Sequence, residues 1–326
     1  MAKAARLTFL LTALLIASAA GAAEAPAQAW MPTKAVRILH GFPPGGPPDL
    51  VLRRIATQLE RRLGQPVVVE NRPGASGTIA AAGVARAAPD GSTLLFGVAA
   101  NLAVAPAIMS PSPYDPVKAF TPIVEVARGP YVLIVRADAP ARTIAEFIEW
   151  ARASAGKLNY ASPGIGSLHH LATEMFKQSS AIDMVHVPYK GGMYAGLLAG
   201  EVHALFESLP SPLPYLQAGK IRILGVTGPR RLAILPDVPT FIEQGAADVD
   251  ASSWWGFAGP AGLPLPIVDR LNSEIAQVLS EPEVRDTLSQ WGIEATPGTP
   301  ASFASYVEAE AGRWRERIQR FGIRPE

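Results

Sequence analysis

Cysteine is absent from all 326 residues. Disulfides, thiolate nucleophiles and thiolate metal sites are excluded together, and stability must come from an apolar core. Charge of one sign is lacking too: 29 Lys+Arg face 28 Asp+Glu, and without Lys3 and Arg6 the balance is 27 to 28. That balance leaves no electrostatic footprint for nucleic acid or an anionic membrane, so any anion must be held locally. No apolar run reaches the about 20 residues that span a bilayer. The chain also lacks a G-x-x-x-x-G-K-[ST] phosphate loop, an H-E-x-x-H zinc helix and a G-x-S-x-G nucleophile elbow.

The N-terminus has the layout of an export leader over residues 1–23. Lys3 and Arg6 precede the apolar run Leu7–Ala17, and small residues at Ala17–Ala19 or Ala20–Ala22 offer cleavage sites. No twin arginine precedes the run, and no cysteine follows it for lipid attachment. The expectation is a cleaved leader, the general export route and a periplasmic protein. About 300 residues remain, enough for two domains.

Apolar periodicity in the remainder reads as alternating strands and helices. Val36–Leu39, Pro66–Glu70 and Thr93–Val98 are strands, separated by helices over Asp49–Leu63 and Thr78–Ala87. The pattern restarts at Tyr131–Arg136, with a helix at Thr143–Ala153 capped by Thr143, then Asn159–Ser162, Leu168–Gln178 and Met184–Pro188. Such a grammar builds parallel sheets wrapped by helices. Two α/β units follow without a flexible tether. The tail after Trp254 holds helices and few strands, and is expected to pack back on the first unit.

Two strand–turn–helix junctions carry the functional signal. In the first, Gly45 and Gly46 admit a ligand close to the backbone, and Pro47 and Pro48 supply no N–H. The donors narrow to Gly45, Gly46, Asp49 and Leu50, with Asp49 placed to cap the helix. In the second, Gly164 and Gly166 flank Ile165, and Ser167 offers a hydroxyl and an N–H. A helix start of this kind is a ready anion site. Geometry alone also explains each turn. The second is no dinucleotide fingerprint, because His169 stands where the third glycine is required.

Other residues leave alternatives open. His170 and Glu174, four apart on a helix, match two metal ligands but have no third in view. Ser167 beside His170 suggests an exported hydrolase, which would need a base held by a carboxylate. Glu207, at a strand end, is either a solvated acid or an acceptor for a ligand's ammonium or hydroxyl. Phe42, Trp254 and Trp255 are either cleft walls or core.

The blocks VRILHGFPPGGPPD, LGQPVVVENRPGASGTIAA, YDPVKAFTPI, GKLNYASPGIGSLHHLATE, VHVPYKGG, LFESLPS and LPDVPTFIEQG together give the chain a resemblance to a known family. It resembles the periplasmic substrate-binding proteins of tripartite tricarboxylate transporters, the Bug family, over essentially the whole mature chain. The resemblance implies a bilobed Venus-flytrap fold, two Rossmann-like α/β domains around a central cleft. It implies domain one over 31–129 plus 253–326 and domain two over 130–252. It also implies two carboxylate pincers, made by backbone N–H groups and water. Carried over, the ligand set is Phe42, Pro43, Gly45, Gly46 and Asp49 on one side, Ser162, Gly164, Gly166, Ser167 and His170 on the other, with Glu207 as the strand-end acid. Two departures stand out: Pro48 replaces a small hydroxyl residue, and Glu207 a more usual Asp. The expected ligand is a small organic acid, a dicarboxylate or related. The expected partners are membrane transporter subunits or a sensor; no cofactor, metal or enzymatic step is expected, and a monomer suffices.

Overall fold

In the computed structural model, residues 30–189, 191–246, 249 and 251–323 are described; the leader read over residues 1–23 lies outside them. Strand β1 (Val36–His40) leads through a turn into helix α1 (Pro47–Leu63), and β2 (Val67–Asn71) follows. Helix α1 buries Leu52, Ile55, Leu59 and Leu63 along one stripe and stops at Gly64, which takes a left-handed φ of 63°. Helix α2 (Thr78–Ala85) and β3 (Thr93–Val98) come next, and β1 lies parallel between β2 and β3. A π-helical turn at Ala100–Val104 then enters the one-turn helix α3 (Ala105–Ile108).

The remaining elements are β4 (Phe120–Arg136), α4 (Ile144–Ala153), β5 (Asn159–Ser162), α5 (Leu168–Ser180), β6 (Val185–Pro188), α6 (Met193–Ala199), β7 (Ala204–Ser208), α7 (Leu213–Gln217) and β8 (Ile221–Val226). After them come β9 (Ser252–Pro260), α8 (Leu265–Ser280), α9 (Pro282–Gln290), β10 (Glu294–Ala295) and α10 (Pro300–Arg320). Thr143 caps α4 as the sequence indicates, its hydroxyl accepting the Glu146 N–H at 3.1 Å.

Strand β4 is the centre of the architecture. Its first part pairs antiparallel with β9 and β10, and its second part with β7 and β8. The sheet therefore runs β2-β1-β3-β9-β4-β7-β5-β6, with β10 pairing the first part of β4 opposite β9 and β8 pairing its second part opposite β7. The sequence reading begins this strand only at Tyr131, because Pro122, Gly129 and Pro130 argue against a ladder. The structure accommodates them: the register shifts between Pro122 and Val124, and Gly129–Pro130 lies where β4 changes neighbours.

Strand β9 is a second difference from the sequence reading. Its glycine at 256 lies under helix α10, where an added Cβ would come within 2.3 Å of Phe303 Cζ. The glycine is there for close packing, and the apolar residues around it are core. Trp254 is fully buried and Trp255 nearly so, so neither walls a cleft. The Trp254 indole donates to Glu310 Oε2 at 3.0 Å, and the Trp314 indole donates to the same oxygen at 3.3 Å. A buried carboxylate thus satisfies two indole N–H groups at the β9–α10 contact. Glu310→Leu leaves both without a partner and is expected to cost about 2–5 kcal/mol, read as a lower midpoint in urea unfolding; an unchanged midpoint contradicts this account of the contact.

Candidate functional site

The register places the ends of two sets of strands on either side of one crossing. In one half, His40 is level with Phe96, Val98 with Trp255, and Trp254 with Arg128. In the other, Tyr131 is level with Ser208, and Ala161 with Leu205. Traced through these rungs, His40 is level with Val124, Val98 with Ala127, Ser208 with Tyr131 and Ala161 with Ile134, so the carboxyl ends of β1, β3, β5 and β7 are spread along β4 on either side of Gly129–Pro130. Ligands in open α/β sheets sit at such ends. The second turn meets helix α3 across the gap: a Cβ on Gly166 would lie 3.0 Å from Ile108 Cδ1.

In the first turn, Gly45 has a φ of 91° and donates its N–H to Asp49 Oδ2 at 2.9 Å. Leu50 N–H is used within the helix, donating to the Gly46 carbonyl. The Gly46 and Asp49 N–H groups have no partner among the described residues. An added Cβ on Gly46 would meet only Pro48 Cδ at 3.9 Å, so its backbone faces open space. Asp49 makes no cap bond to the helix, contrary to the sequence expectation. Its carboxylate is buried and braced by Arg53 Nε at 2.9 Å and Asn71 Nδ2 at 2.8 Å. Burial works to raise this carboxyl, but Arg53, Asn71 and the Gly45 N–H outweigh it and hold it below the usual carboxylate range. Phe42 is fixed through its carbonyl, which accepts Asn71 Nδ2 at 3.0 Å, and Pro43 is exposed.

In the second turn the side chains are also committed internally. Ser162 Oγ donates to the Gly164 carbonyl and accepts the Gly164 N–H at 3.0 Å, with His186 Nε2 at 2.7 Å. Ser167 Oγ donates to the Gly164 carbonyl at 2.6 Å and caps α5 by accepting the His170 backbone N–H at 3.3 Å. Gly166, at a φ of 75°, completes the bend. The Leu168 and His169 N–H groups at the helix start have no partner among the described residues. Ser167 is therefore an N-cap. No hydrogen bond joins its hydroxyl to the His170 imidazole, so the base–nucleophile pair of the hydrolase reading is not assembled.

Beside this turn stands a hydrogen-bonded pair. His169 Nε2 lies 3.1 Å from Glu207 Oε1, which also accepts the Ser208 N–H at 2.8 Å and its hydroxyl at 3.1 Å. Burial works to raise the Glu207 carboxyl, but His169 and then Ser208 outweigh it and keep it ionised. Glu207 Oε2 takes no partner among the described residues. The Tyr131 ring meets the His169 ring edge-on, with centroids 5.1 Å apart.

The family model described as "Tripartite tricarboxylate transporter family receptor" matches residues 51–323. The chain belongs to that receptor family. It is similar to a R. palustris protein solved with adipate: 36% identity, 90% of this chain and 99% of that one covered, TM-score 0.85. It is similar to the periplasmic binding protein BugD at 32% identity, covering 90% and 100%, with a TM-score of 0.82. MatC of Rhodopseudomonas palustris, solved with bound malate, matches at 32% identity over 88% and 100%, with a TM-score of 0.81. The fold is the bilobed α/β architecture with a cleft found in periplasmic binding proteins.

In this receptor the two adjacent histidines of α5 diverge, since successive helical residues point about 100° apart. The residue placed in the ligand set from sequence, His170, turns inward; its neighbour His169 stands at Glu207 instead. The His170 ring lies against His186 and Tyr160, and its Nδ1 is buried without a partner. Sequence reasoning also passed over the turn before α2. There Ala75 and Ser76 hold left-handed φ angles of 47° and 55°, strain that non-glycine residues keep only where the surroundings fix it. Gly41 and Gly77 pack backbone to backbone, and Asn101 and the Phe42 ring close over Gly77, so this turn supports the β1–α1 turn. Loop composition gives little signal of such a role. Among the described residues, no cluster of His, Asp or Glu has a metal-holding arrangement, and no helix is long and apolar enough to cross a membrane.

Burial depresses His40 and His170, the latter to about 4 against an ordinary 6.5, with the His186 imidazole adding to the effect at His170. Both stay neutral when folded and take up protons on unfolding. Stability is therefore full above pH 6.5 and falls as the pH drops toward about 4. In urea titrations across that window, His170→Leu should flatten the decline by about one proton's worth; a slope equal to wild type contradicts the assignment.

Proposed function

We propose that this protein is a periplasmic receptor that captures a small carboxylate between its lobes and performs no chemistry on it. The observation that carries the reading is the state of the two turns. Each ties its own side chains and several amides into internal bonds, and each leaves the leading N–H groups of a helix without a protein partner. Gly46 and Asp49 offer these from one lobe, Leu168 and His169 from the other. Helix N-termini favour an anion there, and one carboxylate reached from both sides, directly or through water, stabilises the closed form over the open one. Adipate in one relative and malate in another support a small organic acid as the class of ligand.

On this reading Phe42 and Pro43 wall the first turn, while Ser162, Gly164, Gly166 and Ser167 shape the second. Glu207 supplies selectivity. Its charge repels a carboxylate set against it, and its open oxygen accepts a hydroxyl or ammonium. The ligand is thus a carboxylate with a hydrogen-bond donor near its far end. The lobes comprise 31–129 with 253–326, and 130–252; the change of partners along β4 and the start of β9 at Ser252 support those limits. The leader directs export and is cleaved, and the loaded receptor delivers its ligand to a tripartite tricarboxylate-type membrane transporter or to a sensor.

Thermal shift against mono-, di- and tricarboxylates tests the reading. Malate or another hydroxy- or amino-carboxylate should raise the Tm in proportion to the logarithm of its concentration. Gly46→Val should remove the shift and leave the unliganded Tm within a few degrees, because the new side chain enters open space. Gly166→Val does not serve this purpose, since it strains a positive φ and presses on Ile108. Normal ligand shifts in Gly46→Val, or turnover of model esters by the wild type, would contradict the proposal.

A further inference from the structure

A second groove lies beside the Arg128–Pro130 stretch of β4. It encloses about 1140 Å³ and is built from Arg128–Pro130, the Thr227–Ala233 loop, the β10 strand, and facing parts of α9 and α10. Six arginines and two glutamates line it, in a chain whose formal net charge is only +1. Arg128, Arg285, Arg313 and Arg317 come from one lobe, Arg230 and Arg231 from the other. We propose that this groove docks an acidic segment of a partner protein.

Three features favour a peptide-like occupant. The cavity is larger than most small-ligand pockets, which run to about 1,000 Å³. Its cationic groups already recognise carboxylates: Arg128 grips Glu125 through two bonds of 2.8 and 2.7 Å, and Arg231 pairs with Glu243 at 3.0 Å. Guanidinium forks suit carboxylates in this way. Between the arginines lie Leu232, Ala233 and Ile242, apolar surface that a peptide's non-acidic side chains can cover and a bare polyanion cannot use.

Two of the arginines are open to an incoming partner. Arg230 is 83% exposed and reaches Glu294 only at 3.7 Å, and Arg285 is exposed with no ion-pair partner among the described residues. At the floor the lobes touch: a Cβ on Gly292 would lie 2.7 Å from Leu209 and 3.2 Å from Leu232.

The test uses the full mature protein without added carboxylate and reads the fluorescence anisotropy of a short labelled peptide of alternating glutamate and leucine. Wild type should bind it, and binding should weaken as salt rises. The double variant Arg230→Glu/Arg285→Glu should lose about tenfold or more in affinity. A control pair on exposed surface elsewhere, Arg86→Glu/Arg142→Glu, should bind as wild type does. Unchanged melting curves establish that all variants are folded. The proposal is overturned if wild type shows no binding up to about 1 mM peptide, if the groove variant binds normally, or if the control pair loses as much. A thermal shift with tripolyphosphate, lost in the groove variant, where the peptide itself fails to bind would assign the groove to a small polyanion and equally overturn it.

Discussion

One strand holds the architecture together. Phe120–Arg136 pairs with β9 and β10 through its first part and with β7 and β8 through its second, so both lobes hang on a continuous set of backbone hydrogen bonds. Its continuity holds the carboxyl ends of β1 and β5 on either side of Gly129–Pro130, level with Val124 and Ile134. A flexible linker there would leave the two turns free to drift apart. A shared strand with glycine and proline at the change of partners fixes their approach and permits rotation.

The carboxylates beside the two turns are both engaged by neighbouring donors, which suits the proposed capture of an anion there. Asp49 lies beside the first turn, yet its oxygens are taken by Gly45, Arg53 and Asn71. Glu207 lies beside the second, and His169 and Ser208 share one of its oxygens. Neither carboxylate is bare, and the helix amides keep their positive field. The histidines behind the turns are neutral because they are buried. His170 and His40 each keep a ring nitrogen sealed from water without a partner, a cost borne next to the site.

Much of this was legible in the sequence, and the failures have physical causes. The β1–turn–α1 and β5–turn–α5 units follow from apolar periodicity and from glycine and proline placement, and they are where the reading put them. The first part of β4 was hidden because Pro122 and Pro130 break the rule for strand interiors, and a register shift in the ladder is visible only with the partner strand in hand. Strand β9 was hidden because Gly256 and Gly259 read as turn residues, although helix α10 and Leu263 require their missing side chains. The choice between His169 and His170 turned on helical phase, which adjacent identical residues cannot disclose. Asp49 was expected to cap its helix; its bonds instead go to Arg53 one turn along the same helix and to Asn71 at the end of the next strand, β2, a placement that only the folded chain shows.

The most direct measurement of the central claim is an amide-resolved NMR titration with a carboxylate that stabilises the protein. The account predicts that the N–H resonances of Gly46 and Asp49 in one lobe and of Leu168 and His169 in the other shift together, with one dissociation constant. Shifts confined to a single turn, or saturating binding that leaves both turns unmoved, would contradict it.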